Sequence, residues 1–307
     1  MISGKTIEVN KGGVRLDAAV LRAFPTTTRA FVREAVARGD VSVDGRAAAK
    51  GMKLRGGEKV FVRELLEASD NRVLPHGECP RPIFDDGDLL AFDKPAGQPV
   101  QPLSCRERGT LMNAVVAKYP ECRDVGDSPL MAGAVHRIDA DTSGLVVVAR
   151  TQAVFDGLRS QFAAQKVKKT YLALVEGAVS VGGTVECDLV HDPTQPFCRM
   201  VDASRARWTP RGRPLHAVTR YVPVAHTSVG CEERTLLEVV IYTGVTHQIR
   251  AQLAMAGMHI VNDRVYGAFA VEDQTGHCLH ALAASFLHPV SELPVEIRTA
   301  LPAWARI

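Results

Sequence analysis

The sequence predicts an α+β protein in which a small α+β module precedes a larger domain built on a mixed, largely antiparallel sheet. Length is the first reason, because 307 residues leave room for two domains at roughly 100–200 residues each. The second reason is that strand patterns outnumber helix patterns in the larger part and do not alternate with them regularly. The composition, with 46% hydrophobic and 23% charged residues, is that of a globular protein.

The N-terminal module is predicted to contain two short helices and a β-hairpin. Apolar residues recur every three or four positions over 16–24 and again over 31–36, which is the period of an amphipathic helix. Gly39 is suited to end the second helix, because glycine adopts the left-handed conformation that closes helices. The dipeptide Asp44-Gly45, between two alternating segments, predicts the turn of the hairpin.

A segment without periodicity separates the two parts. Residues 66–82 contain three prolines and predict an exposed linker, so we place the module at 1–65 and the larger domain at 83–307. Within the larger domain the pattern predicts strands over 89–92, 145–149, 170–175, 217–222, 236–242 and 279–286, and helices over 111–118, 152–166 and 247–256.

The basic charge is concentrated in the first part of the chain. Residues 1–70 carry 13 basic and 9 acidic side chains, whereas the remainder carries 24 and 25. A compact basic face is typical of a polyanion binder, although charge alone leaves a plain solvated surface equally open. The candidate RNA-binding residues on this face are Arg29, Arg33, Arg38, Arg46, Lys50 and Lys53.

Several protein classes are excluded by what the sequence lacks. No run approaches the roughly 18 apolar residues of a membrane helix, and residues 1–14 do not resemble a signal peptide, so we expect a cytoplasmic protein without a membrane partner. The absence of G-x-G-x-x-G and P-loop patterns argues against nucleotide cofactors. The seven cysteines include no C-x-x-C pair, and His277, Cys278 and His280 have no second ligand pair, so we expect no metal.

The densest polar cluster spans 136–144, immediately before the apolar strand at 145–149. A loop that enters a core strand is held rigidly, so a carboxylate such as Asp139 can be aimed at a substrate there. A tight turn in which Asp139 and Asp141 cap backbone N–H groups is the structural alternative. A glycoside hydrolase with two carboxylates across a bond also remains open at this point.

The same cluster resembles the H-R-L-D-x-x-T-S-G motif of the RluA-type family of pseudouridine synthases, with Ile138 at the leucine position. The N-terminal module resembles the alpha-L RNA-binding module shared by a small-subunit ribosomal protein, tyrosyl-tRNA synthetases and several RNA-modifying enzymes. Further segments resemble motifs of the pseudouridine synthase family in the same order, at 90–97, 169–177, 243–250, 262–267 and 279–289.

The resemblance implies an enzyme, an isomerase that converts uridine to pseudouridine in RNA. Members with this arrangement usually act on large-subunit ribosomal RNA, and transfer RNA is the next substrate to consider. The reaction involves no redox change, so no cofactor is expected, and we expect a monomer. The competing classes are a non-catalytic RNA-binding or ribosome-assembly factor and, more remotely, a nucleoside or glycoside hydrolase.

The resemblance also assigns the catalytic roles. The aspartate that matches Asp139 acts as a nucleophile at ribose C1′ or as the base that removes a 2′ proton, and the sequence leaves both routes open. The arginine that matches Arg250 would keep that carboxylate ionised in an enclosed pocket. The tyrosine that matches Tyr171 would stack on the flipped uracil, although an aromatic residue packed on a sheet is the plain alternative.

Four more residues are expected to bind the substrate. Arg137 is a candidate for holding the strand that the flipped uridine vacates. The other three candidates for binding the substrate are His136, Thr142 and Ile249. The helix that carries Arg250 is expected to be capped by Thr246, with Ile249 and Leu253 turned to the core. One position departs from the family pattern, because Val245 stands where family members usually carry arginine.

Overall fold

A computed structural model describes residues 1–194, 199–206, 208, 212–229, 232–267 and 276–306. The chain divides into two compact units, Met1–Arg72 and Val73–Ile307. The division falls inside the segment for which the sequence predicts a linker, and Val73 is fully buried in the core of the second unit. In the part of the chain that is described, no helix is long and apolar enough to cross a membrane.

The first unit is a four-stranded antiparallel sheet with two helices. Its strands are β1 (Ile2–Glu8), β2 (Val41–Val43), β3 (Arg46–Ala47) and β4 (Lys59–Leu65), in the order β1-β4-β2-β3, and its helices are α1 (Leu16–Ala23) and α2 (Arg29–Arg38). Thr28 accepts a hydrogen bond from the Phe31 N–H and caps α2. Gly39 ends α2 in the left-handed region, and Asp44 and Gly45 form the hairpin turn, as predicted.

The second unit contains ten strands and three helices among its described residues. The strands are β5 (Phe84–Asp85), β6 (Leu89–Lys94), β7 (Ser143–Ala149), β8 (Lys168–Glu176), β9 (Gly183–His191), β10 (Met200–Asp202), β11 (Leu215–Val229), β12 (Glu232–Ile241), β13 (Leu279–Leu287) and β14 (Pro294–Arg298). The helices are α3 (Leu111–Lys118), α4 (Gln152–Ala163) and α5 (Gln248–Met255).

One sheet joins all of these strands, in the order β10-β9-β11-β12-β8-β13-β7-β6-β5, with β14 beside β13. The pairings are antiparallel except for the short parallel contact between β13 and β7. The predicted α+β class with a mixed, largely antiparallel sheet is therefore confirmed. The core lies on the central strands, where β6, β7 and β8 are buried along nearly their whole length.

The contact between β7 and β13 determines where the polar segment 136–144 ends. Gly144 lies opposite Ala281 with a positive φ of 109°, and a Cβ atom on it would collide with the Ala281 carbonyl oxygen. Only glycine permits this close approach of two backbones. The segment that carries Asp139 is thereby fixed at the start of a central strand.

Some boundaries differ from the prediction. The sequence analysis missed β1, β3, β5, β9, β10 and β14, and α4 ends at Ala163 rather than at residue 166. The prediction that Thr246 caps the helix of Arg250 is wrong, because α5 begins at Gln248 and the residue at its N-terminal boundary is His247, whose φ is 52°. Ile249 and Leu253 are buried, as expected.

Candidate active site

The loop before β7 holds Asp139 at the edge of the core. The Asp139 carbonyl accepts a hydrogen bond from the Thr142 N–H at 3.1 Å, which closes a turn. The Asp139 side chain retains 25% of its exposure, so its carboxylate is reachable from solvent. The loop is thus rigid, and its carboxylate is still accessible.

A buried lysine donates a hydrogen bond to the backbone of this loop. Lys94, at the end of β6, is fully buried, and its Nζ donates to the carbonyls of Pro95, Gln98 and Ala140 at 2.7–2.9 Å. Burial lowers the pKa of Lys94 to about 8, while the nearby charges of Asp141 and Asp139 oppose that shift. The ammonium group therefore fixes the backbone next to Asp139.

Arg250 joins two carboxylates at the centre of the site. Its Nη1 donates to Asp139 Oδ2 at 2.7 Å, while Nε and Nη2 donate to the two oxygens of Asp263 at 2.7 and 2.9 Å. Arg250 is 5% exposed and Asp263 is fully buried. The bidentate pair fixes the plane of the guanidinium group, so that Nη1 alone is directed at Asp139.

The charges of Arg250 and its carboxylate partners stabilise one another. Burial opposes the positive charge, but the hydrogen bonds and charge of Asp263, followed by Asp139, outweigh it and raise the pKa of Arg250. Burial likewise opposes ionisation of Asp263, but Arg250 outweighs it and lowers the pKa of Asp263. Arg250 and Asp263 therefore form a charged pair throughout the physiological pH range.

The aromatic ring of Tyr266 lies against Arg250. The guanidinium carbon of Arg250 is 5.4 Å from the ring centroid of Tyr266, a cation–π distance. The Tyr266 hydroxyl is 3.2 Å from His247 Nδ1, and His247 Nε2 is 3.7 Å from Asp139 Oδ2. Burial lowers the pKa of His247 although Asp139 opposes the shift, so this imidazole is neutral at pH 7.

Tyr171 lies on β8, between the strands that carry Val239 and Ala281. It is 8% exposed and belongs to the main core. Burial raises the pKa of its hydroxyl, and the negative charge of Asp139 adds to the shift. The phenol is therefore neutral, and it lies within electrostatic range of Asp139. The structure brings the three predicted catalytic residues into one site.

The four predicted substrate-binding residues fall into two groups. Arg137 is exposed beside Asp139. Thr142 is buried and bonded to His277 Nε2 at 2.7 Å, and Ile249 is packed in the core. His136 accepts a hydrogen bond from the Val147 N–H at 3.0 Å. Three of the four are therefore held by contacts inside the protein.

Buried histidines connect the loop to strand β13. His280 bonds the hydroxyls of Ser143 and Thr299 at 2.8 and 2.7 Å. Burial lowers the pKa of His277 to about 4 and that of His280 to about 4, so both are neutral at pH 7. Among the described residues, no group of three histidine, cysteine or acidic side chains is arranged to hold a metal ion.

The sequence analysis assigned no role to Asp263, Tyr266 or Lys94. All three lie in segments that resemble family motifs, at 90–97 and 262–267, so the segments were identified. What the linear sequence did not indicate is that the Asp263 carboxylate forms two hydrogen bonds with Arg250, 13 residues earlier.

The six predicted RNA-binding residues of the first unit fall into three groups. Arg38 is bonded to Glu34 and Asp40, both at 2.6 Å. Arg46 and Lys53 are exposed on the surface. The other three predicted RNA-binding residues line a cavity of about 480 Å³ between α1 and α2, together with Arg15 and Asp17: Arg29, Arg33 and Lys50.

Known proteins resemble this chain over most of its length. The family model described as RNA pseudouridylate synthase matches residues 88–255. A protein named ribosomal large subunit pseudouridine synthase D, from Xanthomonas campestris pv. campestris, is 34% identical over 303 residues, which cover 94% of this chain and 86% of that protein. The Escherichia coli (strain K12) protein of the same name is 31% identical, with 97% of this chain and 90% of that protein covered.

Two solved structures share the fold. Human RNA Pseudouridylate Synthase Domain Containing 1 superposes with a TM-score of 0.59 at 22% identity, over 74% of this chain and 86% of that one. Human RNA Pseudouridylate Synthase Domain Containing 4 gives a TM-score of 0.53 at 20% identity, over 73% of this chain and 89% of that one.

Proposed function

This chain belongs to the RNA pseudouridylate synthase family, and from that premise we propose that it converts specific uridines of large-subunit ribosomal RNA to pseudouridine, with Asp139 as the reacting residue. The enzyme is an isomerase: the bond from ribose C1′ to N1 of uracil breaks, the base turns, and C1′ joins C5. The proton lost from C5 is balanced by the one gained at N1, so substrate and product have the same composition.

One observation supports the role of Asp139 above all. Its Oδ2 is held at 2.7 Å by the buried Arg250, whereas within the described residues its Oδ1 has no hydrogen-bond partner. An ionised carboxylate with one oxygen anchored and the other open to solvent is suited to approach a ribose. It can act there as a nucleophile at C1′ or as a base toward the 2′ proton.

Tyr171 supplies the aromatic surface of the proposed pocket. Its position on a buried central strand fixes the ring, and burial raises the pKa of its hydroxyl, so the phenol is neutral. A rigid ring of this kind can stack on a uracil that has left the RNA helix. Arg137, exposed beside Asp139, is placed to contact the RNA that surrounds the flipped base.

The choice of large-subunit ribosomal RNA rests on the relatives. Proteins at 31–34% identity that span nearly this whole chain bear the name ribosomal large subunit pseudouridine synthase D. A ribosomal substrate also implies a cytoplasmic enzyme.

We propose that residues 1–65 form an RNA-binding module and that residues 66–82 link it to the catalytic domain at 83–307. The cavity lined by Arg29, Arg33 and Lys50 supports this assignment, because it gathers positive charge in one concave surface. The reaction needs neither a redox partner nor energy input, and one chain supplies Asp139, Tyr171 and Arg250. We therefore propose a monomer that works without a cofactor or metal ion.

Pseudouridine mapping in cells tests the function and the substrate together. Pseudouridines in total RNA are compared between cells with and without the gene, and the deleted strain is complemented with the wild type, Asp139→Asn or Asp141→Asn. We expect one or more large-subunit sites to be lost on deletion and restored by the wild type and by Asp141→Asn, but not by Asp139→Asn. Sites that change only in transfer RNA would replace the proposed substrate, and restoration by Asp139→Asn would contradict the proposed role of Asp139.

A further inference from the structure

A second cavity is lined by Tyr266, the tyrosine that also lies against Arg250 of the active site. Its volume is about 440 Å³, within the roughly 300–1,000 Å³ of ligand-binding pockets. One wall is the face of α5 formed by Ala251, Ala254 and Met255, and another is β10 with the residues that follow it. The side chains that matter for its chemistry are Met200, Trp208, Tyr266, Arg199 and Arg205.

Tyr266 is a wall shared by the cavity and the active site. Its ring centroid lies 5.4 Å from the guanidinium carbon of Arg250 and 5.6 Å from that of Arg199. Its hydroxyl accepts a hydrogen bond from the Met200 N–H at 2.8 Å, which fixes the start of β10 against the ring. A group bound in the cavity would therefore lie beside the same aromatic side chain that lies against Arg250.

The polar groups of the cavity include two arginines that can bind an anion and an indole N–H that can donate a hydrogen bond. Two acidic side chains also lie on its rim: Asp192, near Arg199, accepts hydrogen bonds from Thr194, and Asp202, near Arg205, accepts them from Ser204. Arg199 and Arg205 form no ion pair with another described residue. The indole N–H of Trp208 is buried without a hydrogen-bond partner in the described part of the chain. A buried N–H of this kind requires a partner.

We propose that this cavity binds one unpaired nucleotide of the RNA substrate, with its base against Trp208 and its phosphate on Arg199 and Arg205. The inference rests on the proposed function, since it takes RNA as the ligand. Aromatic side chains stack on bases, and guanidinium groups bind phosphate with two parallel hydrogen bonds. Apolar walls of methionine and alanine suit the faces and edge of a base, and the indole N–H can donate to a base carbonyl.

The fluorescence of Trp208 provides a direct test. The chain has two tryptophans, Trp208 and Trp304, so Trp304→Phe leaves Trp208 as the single reporter. Its emission is followed while the full-length protein is titrated with a uridine hexanucleotide, with a hexamer of ribose phosphates that lacks bases, and with inorganic phosphate. Anisotropy of labelled versions of both hexamers measures binding independently. The matched control is Trp208→Phe, which leaves Trp304 as the reporter.

The inference requires that the uridine hexamer quench Trp208 emission at the concentrations where anisotropy shows binding, while the hexamer without bases and phosphate leave it unchanged. Binding of the uridine hexamer without quenching, or equal quenching by the hexamer without bases, would overturn it. If no oligonucleotide binds, the inference also falls, whereas the proposed function is decided separately by the pseudouridine map.

Two substitutions test the same cavity without relying on emission. Trp208→Ala should weaken binding of the uridine hexamer about tenfold, because the stacking surface for a base is removed, and Trp208→Phe should restore most of it. Ala254→Phe should weaken binding by filling the cavity while every proposed contact residue remains. Circular dichroism verifies that each variant is folded. Unchanged affinity in folded Trp208→Ala and Ala254→Phe would exclude the cavity as a nucleotide site.

Discussion

Asp263 binds Arg250 through both of its carboxylate oxygens, at 2.7 and 2.9 Å, and lies fully buried behind it. The guanidinium group cannot rotate without breaking two charged hydrogen bonds, so its third donor stays directed at Asp139. The hydrogen bond that holds the Asp139 carboxylate, the proposed reacting group, is therefore oriented by a fully buried residue. This arrangement leads to the first two predictions.

Asp263→Asn should reduce turnover far more than RNA affinity. The amide accepts only one of the two hydrogen bonds and leaves Arg250 free to reorient, so we expect the single-turnover rate at saturating enzyme to fall by about 100-fold. The dissociation constant for RNA should stay within about threefold of wild type, because Asp263 is fully buried. The control is Asp141→Asn on the exposed side of the loop. A fall in rate and affinity by the same factor would argue against a positioning role.

Arg250→Lys should be nearly as damaging as Arg250→Ala. Lysine keeps the positive charge, but a single ammonium cannot reproduce the planar fork that joins Asp139 and Asp263. We expect both variants to lose about 100-fold or more in single-turnover rate, with RNA binding nearly unchanged in a filter assay. If Arg250→Lys retained most of the rate, charge alone would be sufficient and the fork geometry would be irrelevant.

Lys94→Met should destabilise the second unit and slow catalysis. The substitution removes a buried ammonium that bonds three backbone carbonyls, so the free energy of unfolding should fall by about 3 kcal/mol. Urea denaturation measures this change, with Lys168→Met on the exposed side of β8 as the control. The single-turnover rate should fall as well, since the Ala140 carbonyl next to Asp139 loses its anchor. Equal stability of the two variants would contradict the supporting role of Lys94.

His280→Gln should make stability less dependent on acid pH. The pKa of His280 is lowered to about 4 by burial from an ordinary value of 6.5, so between those values the unfolded chain binds a proton that the folded chain does not. Stability therefore falls as pH decreases through this window, and each such histidine contributes a slope of about 1.4 kcal/mol per pH unit.

Urea denaturation between pH 4.5 and 6.5 should thus show a shallower dependence in His280→Gln than in wild type, by about one proton. The glutamine can still bond the hydroxyls of Ser143 and Thr299. The exposed His76→Gln serves as the control and should keep the wild-type slope. An unchanged slope in His280→Gln would show that His280 takes up its proton equally in both states.

Removing the basic residues of the N-terminal cavity should flatten the salt dependence of RNA binding. The triple substitution Arg29→Gln, Arg33→Gln and Lys50→Gln should reduce the slope of log affinity against log salt by about 0.7–0.9 for each phosphate that is no longer neutralised. The matched control changes three exposed basic residues of the same unit that do not line the cavity: Lys5→Gln, Lys11→Gln and Arg22→Gln. Equal slopes in the two triple variants would mean that the cavity does not bind the RNA.

The sequence predicted the class of the fold and the three central residues, and missed what depends on long-range contacts. Asp139 and Arg250 could be identified because each lies in a local motif, and the structure places them 2.7 Å apart. The bidentate pairing of Asp263 has no local signature, since it depends on how a loop packs against α5. Strand β1 was missed because most of its residues are polar and exposed, and its pairing with β4 holds it in place.

The polar residues next to Asp139 show a second limit of prediction from the sequence. His136 and Thr142 were predicted to bind substrate, and that stays a prediction. The structure gives both of them buried partners, the Val147 N–H and the His277 ring. A sequence motif marks such residues without showing whether they face the substrate or support the strand.

The position of β13 in the sheet determines when the catalytic domain can complete its folding during translation. β13 is inserted between β8 and β7, so the sheet has two halves that only a late segment of the chain joins. During translation β7 and β8 are synthesised before β13, so the edges that pair with β13 stay unpaired until it emerges. Unpaired strand edges are prone to aggregate. A nascent chain that ends before Leu279 lacks the strand that holds Gly144 and the loop of Asp139. Catalytic competence is therefore acquired late in translation, when the two halves close together around that strand.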